Sequence, residues 1–64
     1  MQHSKAEICN AIDEWILNER NRAIVKRRLI DGIQFEPLAE EFDLSVRWVK
    51  EIVRKALRKL DGHI

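Results

Sequence analysis

A chain of 64 residues is sized for one small domain, and at that size folding buries only about 60% of the surface the unfolded chain exposes. A concave catalytic pocket is hard to spare from so small a core, so neither an enzyme nor a cofactor is expected. The hydrophobic share of 45% against a charged share of 36%, with two Gly and one Pro, excludes a disordered or β-rich chain and points to an all-α domain.

The net charge of +1 hides a segregation that matters more for binding than the total. Glu36, Glu40, Glu41 and Asp43 crowd one short stretch without a base; Arg47, Lys50, Arg54, Lys55, Arg58 and Lys59 follow with Glu51 as the only acid among them. No apolar run is long enough to cross a membrane. Met1 to Lys5 leads into a segment carrying Glu7, Asp13 and Glu14 instead of a signal peptide. Cys9 is the only cysteine, which fits a reducing, cytoplasmic setting.

Ser4 and Glu7 have the S-x-x-E spacing of a capping box, so the first helix is placed at about 5–17 with Ile8, Ile12, Trp15 and Ile16 on one face. Cys9 lies one position off that stripe, and it reads either as a small buried hydrophobe or as a reactive thiol. Trp15 reads as core, with a dimer contact as the alternative.

Asn18 can cap a second helix over about 19–31, with Ile24, Val25, Leu29 and Ile30 inward and Arg20, Arg22, Lys26, Arg27 and Arg28 outward. Gly32 then ends it, since a residue with positive φ is commonly needed just past a helix. A short third helix follows over about 35–42. Phe35, Leu38, Ala39 and Phe42 fall at i, i+3, i+4 and i+7, and Pro37 sits in the first turn where its missing N–H costs nothing. Ala39 is small enough to let the next helix cross closely. Asp43 takes the turn, and Leu44 returns to the core.

The last helix, about 46–60, starts after the Ser45 cap. Val49, Ile52, Val53, Ala56, Leu57 and Leu60 form its apolar stripe, while Arg47, Lys50, Glu51, Arg54 and Arg58 occupy the opposite face. Trp48 borders the stripe, half exposed, either as a core-edge residue or as a contact to a sugar-phosphate backbone or a partner. A short helix, a tight turn and a longer helix with a cationic face form the helix-turn-helix pattern. The expected architecture is therefore a small four-helix domain spanning residues 1–64 with a C-terminal helix-turn-helix. Adjacent Asp13/Glu14 and Glu40/Glu41 diverge by about 100° on their helices and make no catalytic dyad. His3 and His63, at the two ends, lack metal-ligand spacing, so no metal site is expected.

Two blocks carry a family likeness. DGIQFEPLAEEFDLS at 31–45 is similar to D-G-x-S/T-Y-x-E-I-A-x-x-x-G-L-S, and VKEIVRKALRKL at 49–60 is similar to I-R-Q-I-E-x-K-A-L-R-K-L. From Arg20 to Leu60 the chain thus resembles region 4 of sigma-70-type RNA polymerase sigma factors, a domain that binds promoter DNA. The resemblance implies that Val46, Arg47, Lys50 and Glu51 reach base edges in the major groove, with Ser45, Trp48 and Lys55 at the flanks that touch phosphates. The chemistry suits these roles: Arg47 or Lys50 can donate to guanine O6 and N7, and Glu51 can accept from cytosine N4. Arg27, Arg28, Arg54 and Arg58 would neutralise backbone charge and set register.

The chain departs from the family in ways that bear on its target. Asp43 stands where the family usually has Gly, and aspartate tolerates the left-handed region better than most residues. Arg47 and Glu51 stand where primary sigma factors carry Glu and Gln, so their target sequence is not inherited. Lacking the other sigma regions, the chain reads as a stand-alone regulator of phage or bacterial type. A DNA-packaging module like the terminase small-subunit domains is one alternative. Another is a protein-interaction domain using the basic face and Trp48. Duplex DNA is the expected partner and RNA polymerase a second; binding is expected either from a weak monomer or from a homodimer formed through helix 5–17.

Overall fold

Four helices follow one another in the computed structural model, which describes residues 4–62: α1 (Lys5–Trp15), α2 (Glu19–Leu29), α3 (Phe35–Glu41) and α4 (Val46–Asp61). Three of them start at side-chain caps visible in the sequence. Ser4 accepts from the Glu7 N–H at 3.1 Å while the Ser4 N–H donates to the Glu7 carboxylate at 3.3 Å, closing the capping box. Asn18 Oδ1 accepts from the Asn21 N–H at 3.0 Å, and Ser45 Oγ from the Trp48 N–H at 3.1 Å. Gln34, at the start of α3, makes no such bond.

Both interior ends differ from expectation in length. α1 stops at Trp15 and not at 17, with Ile16 as an extended C-cap; α2 stops at Leu29 and not at 31, with Ile30 as its C-cap. Gly32 lies past the α2 end at φ 72°, and the chain is drawn back there by the Ile33 N–H donating to the Arg27 carbonyl at 3.1 Å. After α3 the turn is tighter. The Leu44 N–H donates to the Ala39 carbonyl at 2.9 Å, the Asp43 N–H to the Glu40 carbonyl at 3.2 Å, and Asp43 sits at φ 55°. These two bonds around a left-handed residue make a Schellman motif with aspartate in the place glycine usually fills.

Every helix contributes to one core. Ile12 of α1, Ile24 and Val25 of α2, Leu38 of α3, and Val49 and Leu60 of α4 are its largest fully buried side chains. Ile8, Trp15, Leu29, Ile30, Phe35, Phe42 and Leu44 pack against it at partial exposure. Among the described residues no polar or charged side chain is buried, so no desolvated polar side chain needs an internal partner. α4 has 16 residues, roughly 24 Å at the helical rise, in a molecule whose longest dimension is 30 Å. It packs against α1, α2 and α3, which makes it the frame on which the others are laid.

One expected core residue is outside it. Leu57 is 46% exposed because it lies about 80° around the helix from Val49 at 100° per residue, at the margin of the buried stripe. Ala11, unassigned in the sequence reading, is buried instead. Cys9 is half-buried. Lys26, beside it, pairs with Asp13 at 2.6 Å and ties α2 to α1. His3 and His63 lie outside the described residues.

Candidate nucleic-acid interface

The Schellman turn and the Ser45 cap together fix how α4 leaves α3. Leu44 packs against the core just before the cap, so the first turn of α4 is anchored on one side by a hydrophobic residue and on the other by the Ser45 hydroxyl. With Val49, Ile52, Val53, Ala56 and Leu60 turned inward, the opposite side of the helix has no helix packed over it and carries the charge.

Val46, Arg47, Lys50, Glu51 and Arg54 line one shallow depression that opens on that side, with Val46 at its edge packed against the core. All four residues assigned to base edges are thus brought together, with Arg54 beside them. Arg47, Lys50 and Arg54 are exposed, whereas Val46 and Glu51 are half-buried. The Arg54 guanidinium pairs with the Glu51 carboxylate one turn earlier, so the acid in the depression is screened by a neighbouring base. Ser45, Arg47, Trp48 and Glu51 line an adjoining hollow.

Around the helix, Trp48 and Lys55 border a third groove whose far wall is Ile16, Leu17 and Asn18 from the α1–α2 connection and Asn21 from the first turn of α2. The indole is 45% exposed, in agreement with the half-exposed position expected for it. Leu17 is 77% exposed. Its place on this groove was invisible in the sequence, because it depends on α1 ending two residues earlier than the periodicity implied.

Arg27 and Arg28, near the end of α2, sit elsewhere. Arg27 spans to α3, its Nη2 donating to Glu41 Oε1 at 2.7 Å and its Nε to the same oxygen at 3.2 Å, with Asp31 at 3.4 Å on its Nη1. That hydrogen bond and the charge behind it hold the Arg27 guanidinium above its already high ordinary pKa. Arg28 donates from Nη1 to the Ile33 carbonyl at 3.1 Å and lies 4.4 Å from the centroid of the Phe35 ring. Lys50 reaches the same ring from α4, with Nζ at 5.6 Å. Spacing alone marked Phe35 as a core residue; that its ring also meets cations from two other helices depends on how α2, α3 and α4 come together.

The arrangement provides cationic donors and one acceptor on an exposed helix face, with an aromatic and further lysines at its edge. A family model described as Sigma-70, region 4 matches residues 16–61, beginning at the C-cap of α1 and taking in α2, α3 and α4. Comparison with curated proteins gave no match, and neither did comparison with solved structures. The four-helix fold, the turn between α3 and α4 and the extent of this match agree: the chain belongs to the sigma-70 region 4 family of DNA-binding helix-turn-helix domains.

Proposed function

We propose that this chain is a sequence-specific duplex DNA-binding regulator of transcription that reads the major groove with α4. One observation carries the reading. Arg47 and Lys50 are exposed on the second helix of the helix-turn-helix and share a single depression with the half-buried Val46 and Glu51. An α-helix fits the major groove of B-form DNA, where cationic side chains can donate to guanine and a carboxylate can accept from cytosine. Ser45, Trp48, Lys55 and Arg58 then contact phosphates and fix the register of α4 on the duplex. RNA polymerase, a partner implied by the family, is the protein contact that such a regulator would use.

Binding is proposed to be that of a monomer. The exposed positions of α1 are Lys5, Ala6, Glu7, Asn10, Asp13 and Glu14, a polar surface poorly suited to a dimer core. A single helix-turn-helix makes few base contacts, so the affinity of the isolated chain is modest.

Selection from a random duplex pool at two salt concentrations tests the reading, comparing the wild type with Arg47→Ala and Lys50→Ala. A selected sequence is expected, with each variant losing roughly tenfold against it and less against random duplex. Failure to select any sequence, with no loss in either variant, would sink base reading by α4.

A further inference from the structure

Phe35 opens α3, and its ring lies at the edge of the core, only partly buried. Two cations from neighbouring helices lie over it: the Arg28 guanidinium at 4.4 Å from the ring centroid and the Lys50 ammonium at 5.6 Å. Arg28 is held there a second time, through its 3.1 Å bond to the Ile33 carbonyl. The face of an aromatic ring carries negative charge density and attracts a cation within about 6 Å of its centroid. Among the described residues Lys50 has no carboxylate partner, so the ring is what biases its position.

From this geometry we infer that Phe35 is a positioning residue for DNA reading: its ring holds the Lys50 side chain in place before DNA arrives. The proposal rests on α4 being the reading helix. An exposed lysine ordinarily samples many rotamers, and ordering it on a base edge costs free energy that a pre-ordered side chain has already spent. The Lys50 distance is near the outer limit of the attraction. A hold of that strength biases the lysine stem and still releases the ammonium to a guanine. Arg28, doubly held, stays behind and keeps the ring oriented. Phe35 itself need not touch DNA.

Two measurements test this, one of them without DNA. In the wild-type protein the ring current of Phe35 is expected to shift the Lys50 ε-methylene proton resonances upfield; Phe35→Leu abolishes the shift and Phe35→Tyr retains it. With the selected duplex, Phe35→Leu is expected to weaken binding about two- to fivefold while leaving random-duplex affinity and the salt slope unchanged. Phe35→Tyr restores the preference, and Phe35→Leu has no further effect in a Lys50→Ala background. Helix content and melting are followed in parallel; Phe35→Met, which fills the space without a ring, replaces Phe35→Leu if leucine lowers either.

Unshifted Lys50 resonances overturn the positioning role whatever the DNA result. An equal loss from Phe35→Leu in the Lys50→Ala background also overturns it, since that is how a merely structural residue behaves. A Lys50→Ala variant that keeps the full sequence preference overturns base reading by Lys50, and the role of Phe35 with it, even where the proton shift is present.

Discussion

Arg27 on α2 closes both Nη2, at 2.7 Å, and Nε, at 3.2 Å, on one carboxylate oxygen of Glu41 at the end of α3. The pair joins the helix that precedes the helix-turn-helix to the short helix within it, just before the turn that aims α4. Both side chains are 41% exposed, so salt weakens their attraction. Arg27→Ala is therefore expected to lower the melting temperature by a small amount at low ionic strength and by less at high. Glu41→Gln is expected to loosen Arg27, which keeps Asp31 at 3.4 Å, and to raise affinity for random duplex. Melting curves and binding isotherms at two salt concentrations check both outcomes.

At the other end of α2, Lys26 and Asp13 give a pH dependence with a definite sign. The hydrogen bond with Asp13 is the largest influence on Lys26, outweighing the opposing effect of burial, and it raises the lysine above its ordinary pKa. A raised folded-state value stabilises the fold fully below the unfolded lysine range and ceases to do so as pH rises through the folded one. The α1–α2 joint should thus be insensitive to pH near neutrality and weaken as the solution becomes strongly alkaline. Thermal melting from neutral to strongly alkaline pH is expected to show a fall that Lys26→Met reduces.

The two left-handed residues predict opposite responses to substitution. Gly32 has φ 72° with nothing within 4 Å of where a Cβ would stand, so Gly32→Ala costs only backbone strain, about 1–2 kcal/mol. Asp43 already bears that strain at φ 55°. Asp43→Gly should relieve it and leave the Schellman bonds of Leu44 and Asp43 intact, for a gain of up to about 1 kcal/mol. Chemical denaturation of the two variants measures both, and a destabilised Asp43→Gly would show that the aspartate side chain contributes something the backbone geometry does not.

Much of this architecture was legible because local signals carried it. Ser4 with Glu7, Asn18 and Ser45 mark helix starts through bonds to near neighbours, and each does so in the structure, whereas Gly32 makes its left-handed turn two residues beyond the Ile30 C-cap of α2. The α4 face was legible too, since five of the six expected stripe residues are buried. What sequence could not supply was anything dependent on how helices pack. Leu57 fits the periodicity but lies beyond the reach of the other helices, while Arg28, Phe35 and Lys50 meet although they come from three helices. The same holds for the pairing of Arg27 with Glu41, 14 positions apart.

Leu57 and Leu60 turn that difference into an experiment. Periodicity treats them alike, whereas Leu60 is 2% exposed and Leu57 46%. Leu60→Ala should cost about 2–5 kcal/mol, a large share of the stability of a domain this small. Leu57→Ala should change stability by no more than about 0.5 kcal/mol, as surface substitutions usually do. Denaturant titration of the two single variants separates them.

Glu51 poses the sharpest question about the proposed DNA contact, because a carboxylate on a helix that entered the groove would be repelled by phosphate and would have to be offset by what it reads. In the free protein it is paired with Arg54, which screens the repulsion but also occupies a cation that would otherwise face the backbone. On a cytosine the carboxylate can accept from N4, and Arg54 is then released to a phosphate. Glu51→Gln keeps the shape and removes the charge, so it is expected to strengthen binding to random duplex. It also frees Arg54 in every complex, which should steepen the salt dependence by up to about one counterion. At the same time, preference at the base pair read by position 51 should relax. Glu51→Gln selected against the same random pool, with isotherms at two salt concentrations, measures all three effects. An unchanged preference with increased affinity would make Glu51 a purely repulsive element and leave base reading to Arg47 and Lys50.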